Sequence, residues 1–194
     1  MKIYDRVIKR IIDLIGATLM LIVTSPIMLI TAIAIKVNDG GTVFYKQSRL
    51  TKDGKEFKII KFRSMVMNAE DKTGVVFAKI DDDRITSVGK FIRKCRIDEL
   101  PQMFNILKGD MCFVGPRPAL YNQEDLVEER EKYHANDITP GLTGLAQVSN
   151  IGEVPIPLKA SLDGKYVIKF NIWYDIKICL LTIVSLFKRL FSSN

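Results

Sequence analysis

Apolar positions gather in two stretches of the chain. Residues 14–35 carry no charge and are rich in Leu, Ile, Val and Met. A helical run of about 20 such residues reaches across a bilayer. A second apolar stretch, Ile172–Phe191, is interrupted by Lys177, Lys188 and Arg189, which leave about 10 uncharged residues between charges, too few to span. Asp175, Thr182, Ser185 and Arg189 fall on one side of a helix of period about 3.6. That stripe suits an amphipathic helix lying in a headgroup layer, and equally a core helix of the domain beside it.

Between these stretches the period shortens. Asn38-Asp39-Gly40-Gly41 reads as a turn closing the first helix, and residues 42–50 and 56–65 read as strands. Thr51-Lys52-Asp53-Gly54-Lys55 joins them with a Gly where positive φ is cheap, the mark of a small β-hairpin. Residues 87–95 and 98–107 read as helices, and 123–134 as a charged, exposed one. Pro140-Gly141-Leu142-Thr143-Gly144 reads as a loop, weak evidence of phosphate contact. The pattern predicts an α+β chain, mostly helical. Its expected parts are a membrane helix over 1–37 with a basic N-terminus and a cytosolic domain over 38–194 that includes the amphipathic helix 172–191.

Ser25-Pro26 stands in the middle of the first apolar run. A single spanning helix kinked at Pro26 fits the pattern, and so does a re-entrant helix that breaks there and returns. Spanning would place either Lys2, Arg6, Lys9 and Arg10 or the basic, thiol-bearing remainder outside the cytoplasm, against the positive-inside tendency. Re-entry keeps both Met1 and Asn194 cytoplasmic. The basic start resembles a signal peptide, but no A-x-A-like site follows and the apolar run is too long, so cleavage is not expected.

Of 194 residues, 29 are Lys or Arg and 22 are Asp or Glu, a net charge of +7. That sign favours an anionic partner. The basic residues are interleaved with acids rather than with stacking aromatics, so nucleic acid is not expected. The cysteines Cys95, Cys112 and Cys179 show neither metal-ligand nor disulfide spacing, in line with a reducing compartment. The lone His134 leaves too few parts for a histidine metal site or a Ser-His-Asp triad.

Candidate chemistry centres on Asp98-Glu99-Leu100-Pro101. Asp98 fits a helix N-cap with Pro101 in the first turn, a structural use that this spot alone favours. The same helix end suits a phosphate. A carboxylate there would need Mg²⁺, which takes one or two carboxylates plus phosphate oxygens and water, and Asp98 is then ligand and candidate nucleophile at once. Pro116-Arg117-Pro118 presents a guanidinium from a stiff loop, as a phosphate clamp or as a rigid turn. Lys61 and Arg63 share a strand face and extend the basic patch.

In order along the chain, Lys9-Arg10-Ile11-Ile12-Asp13, Ser25-Pro26, Lys61-Phe62-Arg63-Ser64-Met65, Asp98-Glu99-Leu100-Pro101-Gln102, Lys108-Gly109-Asp110-Met111, Val114-Gly115-Pro116-Arg117-Pro118 and Pro140-Gly141-Leu142-Thr143-Gly144-Leu145-Ala146-Gln147-Val148 resemble the bacterial sugar transferase family, the monotopic phosphoglycosyl transferases. The resemblance covers nearly the whole chain. It implies a re-entrant helix broken at Ser25 and Pro26, and a site at the cytoplasmic face of the bacterial inner membrane. There Asp98 would attack the sugar-bearing phosphorus of a UDP-sugar with Mg²⁺ beside it, expel UMP, and pass the phosphosugar to polyprenol (undecaprenyl) phosphate. Glu99 completes the Asp-Glu pair, and Arg117 and Arg93 match positions associated with phosphate or headgroup binding. Such proteins begin capsule, exopolysaccharide, O-antigen or glycoprotein glycan synthesis. Membrane lipid, downstream glycosyltransferases and a second copy are partners the resemblance allows. Two departures, Leu50-Thr51 after Arg49 and Ser149-Asn150-Ile151-Gly152 after Val148, leave the sugar unspecified.

Overall fold

The computed structural model describes residues 7–69, 82–149 and 155–191. Lys2, Arg6 and residues 150–152 of the second departure lie outside them. Helix α1 (Lys9–Asp39) has 31 residues, about 46 Å at roughly 1.5 Å each. Among the described residues it is the one helix long and apolar enough to cross a membrane. It ends two residues beyond the expected boundary, where Gly40 takes a left-handed φ of 70° and its N–H returns to the Lys36 carbonyl. The chain stays helical through Pro26. The proline has no N–H for the Ile22 carbonyl, and the Ser25 hydroxyl donates to that carbonyl at 2.8 Å instead. The expected break at Ser25 and Pro26 is thus not present as an interruption of the helix: one rung is missing, and the neighbouring side chain fills it.

The stripe Lys9, Asp13, Ala17, Thr24, Thr31 and Ile35 is buried, one helix face from end to end. Near its start, Ala17 packs with Phe57, Ile59, Met103 and Ile106. Near its end, Ile35 packs with Phe62 and Ile92. Polar ties repeat the arrangement. Arg10 donates to the Ile106 and Leu107 carbonyls, and Asp13 accepts from the Phe113 N–H, while Asp39 pairs with Arg63 beyond the other end. Ile15, Leu19, Ile22, Ile30 and Ile33 on the opposite face are exposed.

Strands β1 (Phe44–Leu50) and β2 (Glu56–Phe62) form the hairpin, turned by a 3₁₀ segment Lys52–Gly54. Its register pairs Tyr45 with Lys61, Gln47 with Ile59 and Arg49 with Phe57, so these six side chains share one face of the hairpin. Helix α2 (Ser87–Lys94) begins at Thr86, whose hydroxyl accepts from Gly89 N–H. A 3₁₀ turn Ile97–Glu99 and helix α3 (Gln102–Lys108) follow.

Two expectations need correction here. Residues 140–144 are not a loop, because β3 (Cys112–Val114) pairs in parallel with β4 (Gly141–Thr143). A Cβ on Gly141 would fall 2.1 Å from the Gly115 nitrogen, so close backbone approach explains that glycine without a phosphate. The charged helix is α4 (Glu124–Glu131), and it is not wholly exposed: Leu126 and Arg130 are buried. Arg130 donates twice to Asp163, at 2.6 and 2.8 Å, a partner 33 residues away that spacing along α4 could not reveal.

Helix α5 (Leu145–Val148), α6 (Ile156–Lys169) and α7 (Ile172–Phe191) complete the chain. In α7, Asp175 and Thr182 of the polar stripe face inward. Asp175 meets Lys9 at 2.6 Å and the Tyr166 hydroxyl at 2.7 Å, and Thr182 meets Thr143 at 2.7 Å. Trp173, Leu180, Ile183, Val184 and Phe187 are exposed on the other side. The apolar face of α7, like that of α1, is left to the surroundings.

Candidate active site

Asp98 and Glu99 are adjacent in sequence and opposite in circumstance. Asp98 is not the N-cap its position suggests. Arg96 adopts a left-handed φ of 58°, which turns the chain into the 3₁₀ segment and delays α3 until Gln102, with Pro101 in the cap position and no side-chain cap. Asp98 is 8% exposed and has no hydrogen bond or ion pair among the described residues. Burial, then the charge of Glu99, raises its pKa above the usual carboxylate value, against Lys61, Arg96 and Arg93. Glu99, by contrast, is held on all sides. Lys61 reaches one carboxylate oxygen at 3.0 Å and Arg117 the same oxygen at 3.5 Å, while Arg96 reaches the other at 3.0 Å. Burial would raise its pKa, but Lys61, Arg117 and Arg96 together hold it well below the usual range. A carboxylate so firmly ionised is a poor proton acceptor.

Asp98 opens onto a cleft of about 420 Å³ whose lining includes Arg49, Lys61, Arg93 and Arg117. The loop carrying Arg117 is fixed on both sides: Gly115 N–H donates to Thr143, Gly141 N–H to the Pro116 carbonyl, and Arg49 to the Pro118 carbonyl at 3.2 Å. Arg93, on α2, lines the cleft, and its side chain has no hydrogen bond among the described residues. Arg63 also lines it, but the phosphate role expected for it meets an obstacle. Its guanidinium is taken up by Asp39 and the Thr42 carbonyl, locking α1 to the hairpin. Ser25 and Pro26 are exposed in mid-helix, away from the cleft lining. A hollow of about 390 Å³ at the start of α1 holds Lys9, Arg10 and His134. Its Lys9 and Arg10 are already engaged by Asp175 and by backbone carbonyls, and it contains no carboxylate like Asp98.

Sequence reasoning missed Arg49, Gln47, Tyr45 and Arg96. The first three alternate on β1 and face the side that Lys61 faces, a period-2 signal that was present in Tyr45-Lys46-Gln47-Ser48-Arg49. No pattern marks Arg96, whose left-handed backbone is rare for a residue with a Cβ.

Fold and site together define a class: proteins that present a cationic cleft with a buried, unpartnered carboxylate beside an apolar surface. The chain belongs to the bacterial sugar transferase family, whose model matches residues 4–189. It is 40% identical over 184 residues to the UDP-N-acetylgalactosamine-undecaprenyl-phosphate N-acetylgalactosaminephosphotransferase of Aeromonas hydrophila, covering 91% of this chain and 43% of that protein. Against the UDP-glucose:undecaprenyl-phosphate glucose-1-phosphate transferase of Escherichia coli (strain K12), identity is 39% over 186 residues, 92% of this chain and 40% of that protein. A protein of the same name from Caulobacter vibrioides is 39% identical over 185 residues, 92% of this chain and 69% of that one. The chain thus spans about two fifths of the length of the first two relatives.

Proposed function

We propose that this protein is a phosphoglycosyl transferase that moves a sugar 1-phosphate from a UDP-sugar to polyprenol phosphate at a membrane surface. The observation that carries the reading is Asp98: a buried carboxylate with no hydrogen bond or ion pair among the described residues, in a cleft of cations. An Asp98 oxygen attacks the sugar-bearing phosphorus, the bond to the bridging oxygen breaks, and UMP leaves with the electron pair. A phosphate oxygen of the polyprenol phosphate then attacks the acyl phosphate, and Asp98 departs as a carboxylate. Glu99 serves as the anion that aligns Lys61, Arg96 and Arg117 around the phosphates rather than as a base.

No group of three or more His, Cys, Asp or Glu suited to a metal ion occurs among the described residues. The single open carboxylate of Asp98 nevertheless fits Mg²⁺, which completes its shell with phosphate oxygens and water and offsets diphosphate charge when bound. The seating of α1 supports a monotopic, re-entrant placement at the cytoplasmic face of the bacterial inner membrane. A helix crossing a bilayer separates its ends by about 30 Å of hydrocarbon, whereas here both ends of α1 pack on one domain. The outward apolar face of α7 supports an interfacial position for that helix.

The test is exchange of labelled UMP into UDP-sugar, across a panel of sugars and without polyprenol phosphate. A covalent route predicts Mg²⁺-dependent exchange and a phosphosugar adduct on the peptide spanning 96–102. Transfer that requires both substrates at once, with no exchange for any sugar, would overturn it.

A further inference from the structure

Among the cations lining the cleft, Lys61 and Arg117 meet Glu99 and Arg63 meets Asp39. Arg49 differs. It is 7% exposed, yet no carboxylate pairs with it among the described residues. Its Nε and Nη2 donate to the Gln47 side-chain oxygen at 3.2 and 2.7 Å, and Nη1 donates to the Pro118 carbonyl at 3.2 Å. These neutral acceptors orient the guanidinium, and Glu99 acts on its charge without a direct ion pair among the described residues. Burying a cation without a counter-ion is costly, and a stiff fork of this kind is suited to phosphate oxygens.

We propose that Arg49, oriented by Gln47 and set beside Arg117, binds the phosphate that leaves as UMP and then the phosphate of the incoming acceptor. The inference rests on the transferase reading above. Its second half follows from in-line displacement. Asp98 attacks opposite the leaving oxygen, so the group that later displaces Asp98 enters from the side UMP left. One subsite therefore receives two phosphates in turn. Arg49 suits that place because it lines the same cleft as Asp98 and Arg117 and is tied to the Arg117 loop through the Pro118 carbonyl. Burial and then the charge of Arg117 lower the Arg49 pKa to about 10, so the group is cationic at neutral pH. Gln47 is a positioning residue in this scheme, since it acts through Arg49.

The test compares the full-length parent with Arg49→Met, Arg49→Lys and Gln47→Leu in detergent or nanodiscs. It measures UDP binding by calorimetry, thermal melting, and the rates of UMP exchange and of acceptor transfer. Loss of charge-assisted hydrogen bonds of this size weakens UDP binding about 10- to 100-fold. That loss is expected in Arg49→Met, with a smaller one in Arg49→Lys and Gln47→Leu, and with both half-reactions slowed. A merely structural Arg49 would lower melting without this selective loss. An Arg49→Met protein that melts with the parent and binds UDP within about twofold would overturn the proposal. If that variant does not fold, unchanged UDP affinity and exchange in Arg49→Lys would do the same. A parent that binds no UDP would instead remove the transferase reading itself.

Discussion

Two regions bury charge in this molecule, and they do so differently. Between α4 and α6, Arg130 and Asp163 form a closed pair whose side chains are 4% and 1% exposed. In the cleft, Glu99 gathers three cations, while among the described residues neither Asp98 nor Arg49 has an ion-pair partner. The first region satisfies itself and so can only hold the fold together. The second is satisfied only when something else arrives. Burial of charge thus carries opposite meaning in the two regions, and what separates them is whether each charge is paired within the protein.

That contrast can be broken at either side, and the largest change is expected at Asp98. Asp98→Asn should lower UMP exchange by at least about 10³-fold, since an amide is a poor nucleophile. Melting should hold steady or rise, because a desolvated carboxylate is removed.

The next effect belongs to the closed pair. Asp163→Asn strands Arg130 and should cost about 3–5 kcal/mol in denaturant unfolding, with turnover per folded molecule unchanged. The double change Arg130→Met with Asp163→Leu should recover most of that loss. Glu99→Gln sits between the two behaviours, losing about 2–3 kcal/mol at neutral pH together with activity. Because the folded pKa of Glu99 is depressed, its stabilisation is complete above the unfolded value of about 4.3 and fades as pH falls through the folded one. The gap between parent and variant should therefore close on acidification. A gap that widened there would contradict the cation clamp.

The smallest energetic effect is expected at Pro26. Pro26→Ala restores a hydrogen bond that Ser25 already replaces in part, so stability should change by about 1 kcal/mol or less. A cysteine placed at residue 3 tests the consequence for topology. It should resist an impermeant reagent applied outside intact cells carrying the parent sequence, and reaction there would contradict the re-entrant placement.

How much was legible in the sequence depends on the range of the interaction. The hairpin and the limits of α7 were readable because alternation and apolar periodicity are local. The β3–β4 pairing was not, since it joins segments about 30 residues apart through backbone contact between glycines. Asp98 was identified by its motif, but its freedom from a capping role depends on the left-handed Arg96, which no local pattern signals. Arg117 and Arg63 looked alike as basic residues near the site. Only the fold distinguishes one poised at the cleft from one tied to Asp39.

The seating of α1 along the domain also bears on how a lipid-borne acceptor would find the cleft. The C-terminal end of α1 borders it, through Asp39 on Arg63 and the Thr42 carbonyl. Helix and cleft therefore move as one body, with no tether to lengthen or swing. Resting on a lipid sheet, such a body carries its site at a constant height, and an acceptor confined to that sheet has only two dimensions to search. Lateral diffusion, rather than escape of a long apolar tail into water, would then set the encounter rate.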